Sequence, residues 1–221
     1  KITPAHLDML NQMLAAGGHT DCEGMANALI IGGEALSRNT ILPWRTYAPK
    51  TRIINEYGPT ETVVGCCIFD ASKKGFNFAE VPIGRPIANT QLYILDDEFE
   101  PVPIGVVGEL YIGGEGVGRG YLNRPELTAE RFVENPFAKG EKLYKSGDLA
   151  RRLSNGNLQY LGRNDDQIQL RGYRVELGEV EKKILGHPAV EKSLVMAKKA
   201  ADGHPELVAY LVSREAHKDH L

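Results

Sequence analysis

The 221-residue chain has few cysteines, no charge excess of either sign and no long apolar run, and each shortage removes a class of protein. Cys22 and the adjacent Cys66 and Cys67 make an odd count with no CxxC spacing, which argues against a disulfide framework and against a structural zinc site. We read them as buried thiols. Twenty-six Lys and Arg against 29 Asp and Glu leave a formal charge of −3, with no basic block, so counterion release offers nucleic acid little to bind. The apolar runs, such as Ala28-Leu29-Ile30-Ile31, fall far short of the roughly 20 residues that span a bilayer. Lys1-Ile2-Thr3-Pro4 opens no charged region followed by an apolar stretch, so a secretory signal is not expected and the cytoplasm is the expected location. The six histidines are scattered without orienting neighbours, so neither a Ser-His-Asp nor a Cys-His nucleophile set can be assembled.

Glycine is what the chain has in plenty. Its 24 residues are roughly 11 % of the chain against an average near 7 %, which demands many turns and close backbone approaches. Thr3 caps and Pro4 opens an amphipathic helix with Leu7, Leu10 and Leu14 on one face, ended by Gly17-Gly18. An apolar run over 28–31, a helical stretch from Glu34 to about Tyr47 and a second run over 52–55 read as strand, helix, strand. From about Val64 to Leu161, short β-type segments such as 91–95 and 108–112 alternate with Gly, Pro and Asp turns, and one helix interrupts them near 125–132. After Gly162 come an alternating segment over 167–171, a turn at Gly172, a helix carrying Leu177, Val180 and Ile184, and two more β-type runs over 191–197 and 207–212.

Four segments could carry chemistry. Asn55-Glu56-Tyr57-Gly58-Pro59-Thr60-Glu61 follows a strand end, where open α/β sheets hold ligands, and offers an aromatic face, a hydroxyl and a carboxylate. A polar turn without function has the same composition, so this segment alone decides nothing. Gly113-Gly114-Glu115-Gly116-Val117-Gly118-Arg119-Gly120 fits neither GxGxxG nor a Walker loop and reads as a place where backbones cross closely. Tyr144-Lys145-Ser146-Gly147-Asp148-Leu149 places in a turn an Asp able to accept both hydroxyls of a ribose. Gly162-Arg163-Asn164-Asp165-Asp166-Gln167 is a polar break between two textures and a natural hinge.

Taken in order, these segments resemble the amino-acid adenylation domains of nonribosomal peptide synthetases, within the adenylate-forming, AMP-binding superfamily. The resemblance runs from NEYGPTE through GELYIGGEGVGRGYL and YKSGDL to GRNDDQIQLRGYRVELGEVE, nearly unbroken from position 55 to 181. It implies an ATP-dependent ligase using Mg²⁺: an amino-acid carboxylate attacks the α-phosphate, and the acyl group then passes to the phosphopantetheine of a downstream peptidyl carrier domain, among neighbouring synthetase domains. By the resemblance, Tyr57 stacks on adenine with Gly33, Glu34 and Ala35 on its other side, and Asn55 hydrogen-bonds the base. Thr60 touches the α-phosphate, Glu61 holds Mg²⁺, Asp148 binds the ribose, Arg163 helps close the site and Asp165 is the hinge. Ile30, Gly32, Glu56, Val64 and Gly65 line the substrate pocket, where small Gly32 and Gly65 leave room and the Glu56 carboxylate asks for a donor, resembling the pattern for asparagine.

The implied fold class is α/β plus α+β: the end of a parallel α/β layer (1–63), a distorted β-barrel section (64–164), and a small, mobile C-terminal β-α-β subdomain (165–221). Ser146 stands where Thr is usual and Gln169 where a Lys is common. A Ser/Thr/Gly-rich phosphate loop and a catalytic Lys are expected outside these 221 residues, so the stretch is read as a piece cut at both ends that forms no adenylate alone. Two alternatives stay open: an acyl- or aryl-CoA ligase, and a non-catalytic nucleotide-binding module. Membrane and nucleic-acid partners are not expected.

Overall fold

The structure is a computed structural model and describes residues 1–18, 22–72, 79–165, 167–170, 173–199 and 205–214. The chain divides into two compact units, Lys1–Asn164 and Asp165–Leu221. No helix among the described residues is long and apolar enough to cross a membrane.

The first unit opens with α1 (Pro4–Ala16), whose Thr3 hydroxyl accepts the His6 N–H and whose Pro4 needs no amide partner in the first turn. β1 (Ala28–Gly32) follows, then α2 (Arg38–Tyr47) and β2 (Arg52–Tyr57). The second helix begins four residues later than the sequence suggests. Ser37 takes the capping role by accepting the Thr40 N–H at 3.2 Å, and Gly33, at φ +91°, turns the chain before it. β1 and β2 are parallel, with Gly32 opposite Glu56. A 3₁₀ turn at Thr60–Thr62 leads to β3 (Cys67–Asp70) and β4 (Arg85–Pro86), both antiparallel, so the sheet order is β1-β2-β3-β4.

Because strand side chains alternate between faces, Ile31, Ile53 and Asn55 share one side of β1 and β2. Ile31 and Ile53 join Leu7, Ile41 and Trp44 in the first core. Ile30, Gly32, Ile54 and Glu56 take the opposite face, away from that core. The period of two thus separates the residues that hold the layer together from those the sequence singles out as a pocket.

A second, fully antiparallel sheet follows. It contains β5 (Thr90–Leu95), β6 (Val107–Gly114), β7 (Phe132–Glu134), β8 (Lys142–Arg152) and β9 (Leu158–Arg163), with α3 (Pro125–Arg131) before β7. The order is β5-β6-β8-β7, and β9 pairs with the C-terminal half of β8. Leu158 also exchanges backbone bonds with Gly84, whose N–H and that of Ile83 both reach the Leu158 carbonyl, so the two sheets are stitched at one corner. A Cβ at Gly84 would lie 1.9 Å from the Ile68 carbonyl oxygen, which makes glycine obligatory there. The core behind this corner gathers Cys66, Cys67, Leu92, Leu110, Ile112, Phe132, Tyr144 and Leu158.

The second unit holds β10 (Gln167–Leu170), β11 (Tyr173–Glu176), α4 (Leu177–Leu185), β12 (Val190–Lys199) and β13 (Pro205–Ser213). Both strand pairs are antiparallel hairpins, so the unit is a helix between two hairpins rather than the expected β-α-β. The expected turn at Gly172, together with Arg171 and Asp166, lies outside the described residues.

Candidate functional site

Asp148 does not sit in a turn, as its Gly-Asp context suggests, but in the middle of β8. The register between β6 and β8 shifts between Glu109 and Tyr111, leaving Ser146, Gly147 and Asp148 as a bulge, with Gly147 at φ +75°. Bulged residues lose ladder partners, and side chains replace them here. The Ser146 hydroxyl donates to the Leu110 carbonyl at 2.6 Å and accepts the Asp148 N–H at 3.0 Å. Glu109 accepts the Gly147 N–H at 3.1 Å with one oxygen and the Asn164 amide at 3.1 Å with the other. The hydroxyl at 146 is therefore structural, which explains why serine serves there.

The bulge aims the Asp148 carboxylate at two donors from distant parts of the chain. Arg163, its neighbour across the β8–β9 ladder, donates Nη1 at 2.8 Å, and the two side chains are only 10 % and 9 % exposed. The Tyr57 phenol, at the end of β2, donates to the other oxygen. Burial, and then the Asp148 charge, raise the Tyr57 phenol well above its usual pKa, so it remains a proton donor. Its ring lies 6.2 Å from that of Tyr160 on β9.

The segment after β2 folds tightly because Pro59 gives its carbonyl to the N–H groups of Thr62 and Val64 at 3.0 and 3.1 Å. Val63 and Val64 both adopt φ +66°, a left-handed backbone that β-branched residues strongly resist. Such strain persists only where surrounding structure enforces it, and it concentrates at binding sites. The turn presents Thr60 exposed and Glu61 half-buried. Tyr121 donates its phenol to Glu61 Oε1 at 2.5 Å, and Gly118 N–H bonds the Glu61 carbonyl at 2.8 Å.

Two expectations are narrowed by the geometry. Asn55 is 3 % exposed, and its amide donates to the carbonyls of Val81 and Pro82 at 3.3 and 2.9 Å, so that donor is committed to holding the 81–82 backbone. Gly32 and Gly65 do not leave empty room: a Cβ on Gly32 would lie 2.6 Å from the Glu56 carbonyl oxygen, and one on Gly65 would lie 2.5 Å from Glu56 Oε1. Their smallness accommodates Glu56 itself, whose carboxylate pairs with the Lys1 ammonium. Ile30 and Val64 are exposed. Glu34 turns its side chain back to accept the Ala5 N–H at 3.3 Å in the first turn of α1, while Gly33 and Ala35 are exposed on either side. Asp165 opens the second unit and accepts the Gln167 N–H at 3.2 Å.

Glu109 and Tyr121 are the residues the sequence reading passed over, although both lie within the GELYIGGEGVGRGYL string. The signal was an acid and an aromatic bracketing a glycine loop. Among the described residues no cluster of three His, Cys, Asp or Glu is placed to hold a metal. Magnesium is commonly held through one or two carboxylates with phosphate and water, and Glu61 supplies one hard oxygen donor of that kind.

Residues 1–122 match the family of AMP-binding enzymes. The chain is 51 % identical over 206 residues to one of the linear gramicidin synthase proteins of Brevibacillus parabrevis, covering 93 % of this chain and 3 % of that protein. It is 45 % identical over 214 residues to bacitracin synthase 3 of Bacillus licheniformis, covering 96 % and 3 %. The chain thus spans a small fraction, 3 %, of the length of these relatives. Among solved structures, holo-PA1221, an NRPS protein containing adenylation and PCP domains bound to a vinylsulfonamide inhibitor, superposes with a TM-score of 0.85 at 27 % identity, over 96 % of this chain and 36 % of that one. The Vibrio cholerae adenylation domain AlmE, in complex with glycyl-adenosine-5'-phosphate, superposes with a TM-score of 0.80 at 27 % identity, over 96 % and 41 %. On these matches the chain belongs to the AMP-binding enzyme family, on its nonribosomal peptide synthetase adenylation-domain branch.

Proposed function

We propose that the chain contributes the nucleotide-binding wall of an adenylate-forming ligase that activates an amino acid with ATP and delivers it to a carrier-domain phosphopantetheine. The observation that carries this reading is the meeting of Tyr57, Asp148 and Arg163. A carboxylate accepts at about four lone-pair positions, so Asp148 can meet a ribose diol alongside the phenol and the guanidinium. The Tyr57 ring, held by its hydroxyl, offers a face to adenine, with the exposed backbone of Gly33, Glu34 and Ala35 on the other side. The Asn55 amide acts at one remove, by fixing the 81–82 backbone.

In the reaction, an amino-acid carboxylate oxygen attacks the α-phosphorus, the bond to the bridging oxygen breaks, and pyrophosphate leaves with that electron pair. Charge accumulates on the α-phosphate, so the residues here work by placement and by electrostatics. Thr60 donates its hydroxyl to the α-phosphate, and Arg163 adds a positive charge beside Asp148. Glu61 holds Mg²⁺, which supplies charge neutralisation on the phosphates when bound. Asp165, at the first position of the second unit, serves as the hinge between adenylation and thiol acylation. Ile30, Glu56 and Val64 line the side-chain pocket, with Gly32 and Gly65 behind them making room for Glu56. With Lys1 already paired to Glu56, a neutral amide suits the remaining acceptor capacity better than a second cation, which favours asparagine.

ATP–pyrophosphate exchange by the intact synthetase, run across all amino acids, tests both levels. Exchange is expected with asparagine foremost, and Glu56→Gln shifts preference away from it. Preference for an aliphatic side chain overturns the Glu56 argument alone. Absence of exchange with every amino acid, alongside acylation of free CoA, overturns the whole reading.

A further inference from the structure

The glycine loop over 113–120 has no evident task in the reading above, yet its far end lies on the proposed metal-holding carboxylate. Gly116 and Gly118 pass so near the 61–63 turn that a Cβ on Gly116 would lie 2.5 Å from Val63 Cγ2, and one on Gly118 would lie 3.2 Å from the Glu61 carbonyl oxygen. At Gly118 the N–H bonds that same oxygen at 2.8 Å. Three residues on, Tyr121 donates its phenol to Glu61 Oε1 at 2.5 Å. The tyrosine cannot easily swing away. Its ring packs edge-on against Phe132 at 5.4 Å, its N–H reaches Thr128 Oγ1 at 2.9 Å, and Gly120, at φ +132°, sits against Thr128.

We infer that the Gly118–Tyr121 segment is a clasp that positions Glu61, its backbone gripping the Glu61 main chain and the Tyr121 hydroxyl orienting the carboxylate for a phosphate-bound divalent cation. This rests on the reading of Glu61 as the magnesium-holding residue. The chemistry suits the task. A hydrogen bond to one oxygen of a carboxylate fixes the rotation of the group and directs the other oxygen, whereas a hydrocarbon neighbour leaves it free to turn. Tyr121 is therefore a positioning residue rather than a catalytic one.

The test uses the intact synthetase with Mn²⁺ as the probe, its binding in the presence of α,β-methylene-ATP read by electron paramagnetic resonance. Tyr121→Phe keeps the ring on Phe132 and removes only the hydroxyl; it is expected to weaken Mn²⁺ binding by roughly tenfold. It should raise the Mg²⁺ concentration for half-maximal pyrophosphate exchange by a similar factor, leaving the KM for the amino acid unchanged. Gly118→Ala, which pushes on the Glu61 carbonyl, is expected to act in the same direction and decides the matter if Tyr121→Phe does not fold. Mn²⁺ affinity unchanged in both variants while Glu61→Gln weakens it overturns the clasp and spares the reading of Glu61. Mn²⁺ affinity unchanged in Glu61→Gln as well overturns that reading, and the clasp with it.

Discussion

The α/β layer and the antiparallel sheet of the first unit each present an acid to the candidate site, and they do so by opposite means. Glu61 leaves its layer altogether: β2 ends at Tyr57, and the acid rides on a strained turn outside the carboxyl end of the strand. Asp148 never leaves its sheet; it is turned out of a continuous strand by a bulge whose stray backbone groups are bound by Ser146 and Glu109. A turn can be replaced or lengthened with local consequences. A bulge between two paired strands cannot, because β6 and β9 fix it on both sides. The difference implies that the Asp148 end of the site is the rigid one and that the Glu61 end needs an external clasp.

The largest effect should come from the rigid end. Asp148→Ala removes one member of the buried ion pair with Arg163, and such a loss costs about 3–5 kcal/mol, measurable by urea unfolding, with loss of pyrophosphate exchange. At the turn end, Gly58→Ala is next: the new Cβ would lie 2.7 Å from the Val64 carbonyl oxygen and 2.8 Å from Cys66 N, both backbone atoms, with an expected loss of about 2 kcal/mol. Equal losses at Asp148 and Gly58 would erase the contrast. Val64→Asn sharpens it in the other direction. Asparagine tolerates the left-handed backbone, and Val64 is 47 % exposed, so the variant should gain about 1 kcal/mol in thermal unfolding while changing substrate preference.

The smallest effect concerns the thiol between the two ends. Burial pushes Cys66 up to about 11, so its folded form stays protonated where an unfolded thiol near 9 would ionise. The corresponding stability is intact below pH 9 and is lost as pH climbs toward 11. Alkylation of Cys66 at pH 8, followed by mass spectrometry, should therefore be negligible in the native protein and complete in urea. Ready native labelling would mean that the 58–66 turn opens far more often than this packing allows.

Elements whose signals are local were legible. Thr3 and Pro4 announced α1, and the apolar alternation at 91–95 and 108–112 announced β5 and β6, because caps and periodicity act within a few residues. The Asp148 bulge was not legible, since Gly-Asp reads as a turn and the groups that make it a bulge, the Leu110 carbonyl and the Glu109 carboxylate, lie 36 and 38 residues away. The same reason hid the role of Gly65, where the limiting neighbour is the Glu56 side chain rather than a vacant pocket. In the second unit, β12 and β13 were seen as two β-type runs, but nothing in their sequence says that each pairs within a hairpin and not across the helix. For the site, the sequence pointed to Tyr57 and Asp148, which the fold brings together; it held no hint that the Asn55 side-chain N–H groups donate to the 81–82 backbone.

The bond between Tyr57 and Asp148 joins positions 91 residues apart. A ribosome adding residues one at a time must deliver everything through Arg163 before that corner can close, and such distant pairings are the slow ones to form. A chain that stops short of Asp148 therefore holds a Tyr57 phenol with no carboxylate to receive it, and this corner stays open until the second sheet is in place.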